Sequence, residues 1–254
     1  MADEVLVSVD GGVGVITINR PQAKNAVNDA VARGIADAID DLDARKDVSV
    51  LVLTGAGGTF SAGMDLKAFL AGELPMIEGR GFGGITEAPP KKPIIAAVEG
   101  YALAGGFELV LSCDLIVASE EAKFGLPEPK RGLVAAAGGV MRLPRRIPYH
   151  IAMEIALTGD FYPATRLHEL GLVNRITPAG KALEEATELA KKIAANAPLA
   201  LAATKKIMVE SIDWSLDEMF AKQDEITGPV FTSKDAMEGA AAFAEKRAPV
   251  WKGE

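Results

Sequence analysis

Two glycine-centred turns constrain this chain more than any other feature. The first reads Thr59-Phe60-Ser61-Ala62-Gly63-Met64-Asp65-Leu66, the second Gly100-Tyr101-Ala102-Leu103-Ala104-Gly105-Gly106-Phe107-Glu108-Leu109. Each follows a short apolar run, Val50–Leu53 and Ile94–Val98 respectively. A buried strand feeding a glycine turn that opens a helix fits both segments. Helix starts carry unpaired N–H groups and the positive end of the backbone dipole. Two such starts aimed at one point would form a two-donor oxyanion site from main chain alone. Glu108, in the first turn of the second helix, and Glu128, between Pro127 and Pro129, add carboxylates. Taken singly, Glu108 reads as a group that complements its own helix dipole and Glu128 as a solvated loop residue. Two flanking prolines nevertheless hold Glu128 in a narrow range of backbone angles, which suits a carboxylate whose position matters.

The remaining pattern alternates strands with helices. Val5–Val9, Gly11-Gly12 and Val13–Ile18 read as a hairpin. Residues 28–42 place Val31, Ile35, Ala38, Ile39 and Leu42 at helical spacing. Residues 71–92 are rich in glycine and proline without a period, as a functional or mobile insertion would be. Within them, Gly79-Arg80-Gly81-Phe82-Gly83-Gly84 matches G-x-G-x-x-G by letter but lacks the flanking strand and helix, so it reads as a flexible loop. Leu115–Ala118 and Leu172–Ile176 read as strands, and Lys123–Glu128 as a short strand or loop. Helices are expected over 148–157, 164–170, 181–195, 198–210, 213–223 and 234–245. The expectation is a layered α/β fold, with a core over 1–195 and a helical C-terminal region over 196–254.

Composition narrows the chemistry. The 254 residues carry a net charge of −8, which speaks against nucleic acid or an anionic membrane as partner. No apolar run approaches the ~20 residues of a membrane span. Asp3 and Glu4 leave no basic flank before an apolar run, so a secretory leader is not expected. Cys113 is the one cysteine, which fits a cytoplasmic protein without internal disulfides. With only His150 and His168 for imidazoles, no zinc set and no Ser–His triad around Ser61 can be assembled. No metal is expected.

At these motifs the chain resembles the crotonase (enoyl-CoA hydratase/isomerase) superfamily. The likeness includes Asn19-Arg20-Pro21, Phe60-Ser61-Ala62-Gly63-Met64-Asp65-Leu66, Glu99–Glu108, Phe124-Gly125-Leu126-Pro127-Glu128, Ala137-Gly138-Gly139, Arg142-Leu143 and Phe243-Ala244-Glu245-Lys246-Arg247. Inside the superfamily the wording is most similar to the carnitinyl-CoA dehydratase branch. The resemblance implies a spiral of ββα units with a helical C-terminal region that builds homotrimers, often paired into hexamers. It implies that the N–H groups of Met64 and Gly105 hold the thioester oxygen of an acyl-CoA. Glu108 and Glu128 match the acid/base glutamates of the hydratases. Backbone from Ala62 through Asp65 to Leu66 would meet coenzyme A, with Lys24 and Lys246 as phosphate or nucleotide partners. For each lysine alone, a solvated surface charge is the plain alternative. Coenzyme A enters as part of the substrate, so no separate cofactor is implied.

The implied activity is hydration of an enoyl-CoA or its reverse. Isomerisation, dehydration of a polar carnitinyl-type acyl group and non-catalytic acyl-CoA binding are the alternatives. Two departures bear on the choice. Ala104 stands where many members have glycine. Leu133-Val134-Ala135-Ala136-Ala137 replaces a loop that in many members carries proline and polar residues.

Overall fold

In the computed structural model, which describes residues 3–254, the chain winds as a spiral. Each turn lays one strand in a main sheet, steps across to a second layer, and returns through a helix. Gly11 and Gly12, at φ 55° and 81°, make the tight link between β1 (Val5–Asp10) and β2 (Val13–Ile18). That link matches the twist of an antiparallel hairpin. From β2 the chain crosses at residues 25–27 and enters α1 (Asp29–Ala44), whose N-terminus is capped by the Asn28 side chain. The second turn runs through β3 (Val50–Gly55), residues 60–64 and α2 (Leu66–Leu70). A small hairpin, β4 (Met76–Ile77) with β5 (Gly81–Phe82), follows. The third turn is β6 (Ile94–Val98), β7 (Tyr101–Leu103) and α3 (Gly105–Leu111). The fourth is β8 (Leu115–Ser119), β9 (Lys123–Gly125), a 3-10 turn at Glu128–Arg131 and α4 (Gly139–Arg142).

Then come α5 (Tyr149–Thr158), β10 (Tyr162–Pro163) against β9, α6 (Ala164–Glu169), β11 (Arg175–Thr177) and α7 (Ala182–Ala194). Three further helices close the chain: α8 (Pro198–Glu210), α9 (Met219–Phe231) and α10 (Lys234–Glu245).

The main sheet has the order β1-β2-β3-β6-β8-β11 and is parallel from β2 onward. The second layer stacks one short segment per turn. Val27 pairs with Met64, Ser61 with Ala102, and Ala102 with Phe124, all in parallel. β3 is apolar on both faces because both are covered. Leu51 and Leu53 enter the larger core with Ile35, Ile39 and Phe107, while Val50 and Val52 meet Ala186 and Ala190 of α7.

Several expectations are corrected. The stretch 71–92 contains the β4–β5 hairpin, and Gly79–Gly84 is no flexible loop. Phe82 and Ile85 are buried, and the Gly83 N–H donates to Pro75. The strand expected at Leu172–Ile176 begins only at Arg175, because the N–H groups of Leu172 and Val173 turn back to Leu167 past Gly171 at φ 83°. The helix expected at 213–223 starts at Met219, since Glu218 and Met219 N–H groups first form a turn on the Ser215 carbonyl. α9 then continues through Pro229 to Phe231. The second-layer strand β7 and the short helix α4 are absent from the residue pattern.

Candidate active site

The second layer presses the two glycine turns together. Val27 N–H donates to Gly63 O at 2.8 Å and Asp65 N–H donates to Val27 O at 2.9 Å, so the Met64 N–H points away from that ladder. A Cβ on Gly63, which sits at φ 95°, would lie 2.8 Å from Leu103 O and 3.1 Å from Gly105 N. One on Gly106 would lie 2.3 Å from Ser61 O. Only glycine permits this approach. Ser61 acts as a strut rather than a nucleophile: its hydroxyl donates to Asn25 O at 2.8 Å and accepts from Gly63 N–H at 3.2 Å. Gly105 opens α3 as its first helical residue. Among the described residues, neither the Met64 nor the Gly105 N–H has a protein acceptor.

Ala104, just before that donor, holds φ 52° and ψ −129°, a region that L-residues rarely adopt. Its N–H is tied to Gly125 O at 2.9 Å. Over Gly105 lies the Phe82 ring, 2.5 Å from where a Cβ would stand. The apolar hairpin therefore shields the donor from one side.

Glu108 and Glu128 are both buried, at 3% and 9% exposure. Glu108 does not serve its own helix dipole. Its Oε1 accepts from Ala137 N–H at 2.7 Å and Gly139 N–H at 2.8 Å, at the start of α4. Burial pushes its pKa up, while the two N–H groups and the Arg142 charge pull it down. Arg142 itself donates to Ala137 O and Thr86 O, pinning the turn that holds Glu108 to the segment after β5. Glu128 opens the 3-10 turn after Pro127, and its Oε2 is buried with no partner among the described residues. Burial raises its pKa to about 7, opposed by its own backbone N–H and reinforced by the charge of nearby Glu108. A buried carboxyl pair with one member anchored and the other free is what proton transfer near neutral pH requires.

A family model described as enoyl-CoA hydratase/isomerase matches residues 8–254. Carnitinyl-CoA dehydratase of Salmonella typhi is 40% identical, with all of both chains covered. Enoyl-CoA hydratase EchA19 of Mycobacterium tuberculosis is 42% identical over 97% of this chain and 95% of its own. Among solved structures, an enoyl-CoA hydratase from Mycobacterium tuberculosis H37Rv superimposes with a TM-score of 0.97 and 63% identity, covering 99% of this chain and 100% of that one. The chain belongs to the crotonase family, and its spiral α/β fold is the crotonase fold.

Within this crotonase site, the other residues singled out in the sequence fall into two places. The Lys24 carbonyl accepts from Ala62 N–H at 3.0 Å, beside Met64, and the exposed Lys24 ammonium lies 5.7 Å from the Tyr101 ring centroid. Asp65 spends its carboxylate capping α2 and pairing with Arg20 at 3.0 Å, and exposed Leu66 follows it. These four gather along the first glycine turn. Lys246 caps α10, its N–H bonded to Phe243 O, and the single chain does not join it to Glu108 and Glu128. The residues that hold Glu108 (Ala137, Gly139, Arg142) and the ring over Gly105 (Phe82) were not legible as site residues. Ala137–Gly139 and Arg142 lie within matched motifs, but no spacing rule ties them to a residue 29 positions earlier. Among the described residues, no group of three or more His, Cys, Asp or Glu could hold a metal ion. Nor, among those residues, is any helix long and apolar enough to cross a membrane.

Proposed function

We propose that this crotonase-family enzyme is a hydro-lyase that adds water across the α,β double bond of an enoyl-CoA thioester and removes it in reverse. The partnerless buried Glu128 Oε2, beside a Glu108 anchored by two backbone N–H groups, carries the reading. A buried polar atom without a partner costs ~1–3 kcal/mol, which a purely structural residue has no reason to bear.

The Met64 and Gly105 N–H groups receive the thioester carbonyl oxygen. As a water oxygen bonds to Cβ, the π electrons move to Cα and charge collects on that oxygen. One backbone donor of this kind is worth ~2.7–4 kcal/mol of barrier. Ionised Glu108, held by Ala137 and Gly139, accepts the proton that water loses. Glu128, kept partly protonated by its raised pKa, delivers a proton to Cα. One C–O bond and one C–H bond form on the substrate as its π bond and one O–H bond of water break. The proton gained by Glu108 balances the one given by Glu128, and the net change is one water added.

Coenzyme A travels on the substrate, and the proposal calls for no cofactor or metal. Ala62, Asp65 and Leu66 lie where their backbone can meet the pantetheine, with Lys24 nearby for phosphate. Lys246 reaches a nucleotide only in an assembly. A homo-oligomer, trimer or hexamer, fits the C-terminal helices: α8 and α9 bury no residue fully, while Phe220, Phe231 and Phe243 stand 69–88% exposed. A second copy of this chain is the proposed cover, in a cytoplasmic setting in keeping with the one buried, unpaired Cys113 thiol. Purified protein with crotonyl-CoA, followed by loss of the conjugated thioester absorbance, tests the activity. Turnover that vanishes in Glu108→Gln and Glu128→Gln supports it, and full turnover in either variant overturns the assignment.

A further inference from the structure

Beside the two glutamates the fold encloses a cavity of about 240 Å³ whose lining side chains are all apolar. It lies against the site. Leu126 and Pro129 flank Glu128 in sequence, and Val140 follows Gly139, which donates to Glu108. The Leu126 side chain and the Glu108 Cγ crowd the same face of Gly139, 3.2 and 3.0 Å from where its Cβ would stand. Buried Leu126 and Ala135 lie at the inner end, while Val134 and Leu157, 71% and 68% exposed, stand at the mouth.

We infer that this cavity takes the acyl tail beyond Cβ, and that the tail is an uncharged hydrocarbon chain rather than one ending in a quaternary ammonium. The inference rests on the hydratase reading above. A buried cation needs a carboxylate or an aromatic face, and no lining residue supplies either. Of the carboxylates around it, Glu128 is given to Cα at the other end of the substrate. Glu154 of α5 is exposed, and Asp160 pairs with Lys130. The volume holds roughly eight water-sized groups, enough for a tail of several methylenes. The loop Leu133–Ala137 is decisive here, because Val134 and Ala135 wall the cavity where polar residues would have made it hospitable to a charged tail.

The test is kcat/KM of the full-length enzyme for straight trans-2-enoyl-CoAs of rising length, and for crotonobetainyl-CoA, whose tail ends in trimethylammonium. The expected result is turnover of the shortest substrate and a rise of roughly fourfold per added methylene until the cavity fills. Crotonobetainyl-CoA should be at least about a hundredfold poorer than the best straight chain. Met153→Asp, which sets a carboxylate in the wall, should shift the ratio of the two tails at least tenfold toward the cation. If that variant does not fold, the unmodified enzyme still decides. Turnover of the shortest substrate with no gain along the series, or with crotonobetainyl-CoA equal or better, overturns this inference alone. No turnover of any enoyl-CoA overturns the hydratase reading and this inference with it.

Discussion

The glycine turns and the C-terminal helices reach order by opposite means. Around Gly63 and Gly105 the backbone itself is the packing surface, and a single chain completes it: Phe60, Ser61, Phe107 and Glu108 are all buried. Helices α8 and α9 are regular, yet neither fully buries a side chain, and Phe243 of α10 is 88% exposed. Geometry good enough for catalysis demands the first kind of order. The second kind is regular helix awaiting a surface, and helices draw most of their stability from such packing. A substitution in the turns should therefore strike chemistry directly, whereas one in the C-terminal helices should strike assembly first.

The largest effect expected falls on the acid pair. Glu108→Gln and Glu128→Gln should each lower kcat by ~10²–10⁴-fold with acyl-CoA affinity kept, read by steady-state kinetics beside direct binding. Next comes Gly63→Ala. Left-handed strain of ~1–3 kcal/mol adds to a clash of ~1–3 kcal/mol with Leu103 and Ala104, so denaturant unfolding should show a loss of several kcal/mol, and turnover should collapse. Against that, Phe220→Asp with Phe243→Asp should leave each subunit folded but reduce the sedimenting mass toward a single chain. Each exposed phenylalanine so removed forgoes ~1.5–3 kcal/mol of burial. Unchanged mass would place the subunit contacts elsewhere.

Two smaller effects sharpen the turn side. Hydration needs Glu128 protonated, so kcat should fall as pH rises through about 7, and Glu128→Gln should erase that alkaline limb. The same raised pKa favours the protonated fold. Its stability contribution is full below the ordinary value of 4.5 and is lost as pH rises through about 7. The melting temperature of the wild type should thus drop relative to Glu128→Gln between ~pH 5 and ~pH 8. Ala104→Gly should be the mildest. Relief of ~1–3 kcal/mol of strain outweighs the ~0.4–1 kcal/mol that glycine adds to unfolded-chain entropy, so the variant should gain about 1 kcal/mol.

How much the sequence disclosed follows the same divide. The main-sheet strands were legible because apolar runs such as Val50–Leu53 are buried on two faces, and α8 was bounded at Pro198 by the residue that starts it. Of the second layer only Lys123–Glu128 was legible, as a short strand or loop, because its segments are three residues or fewer and pair only with other turns of the spiral. Glu108 and Glu128 could be picked out by their glycine and proline surroundings. Their partners could not, since Ala137 and Gly139 contribute backbone, which no side-chain pattern reports. Phe82 lay hidden in a glycine-rich stretch whose glycines serve close packing rather than mobility.

A crystal structure with a non-reactive acyl-CoA analogue tests the central claim most directly. The account places the thioester oxygen ~2.7–3.1 Å from both the Met64 and Gly105 nitrogens, with the Glu108 and Glu128 carboxylates flanking Cα and Cβ. A thioester held by other donors, or one whose Cα and Cβ lie out of reach of both carboxylates, would contradict it.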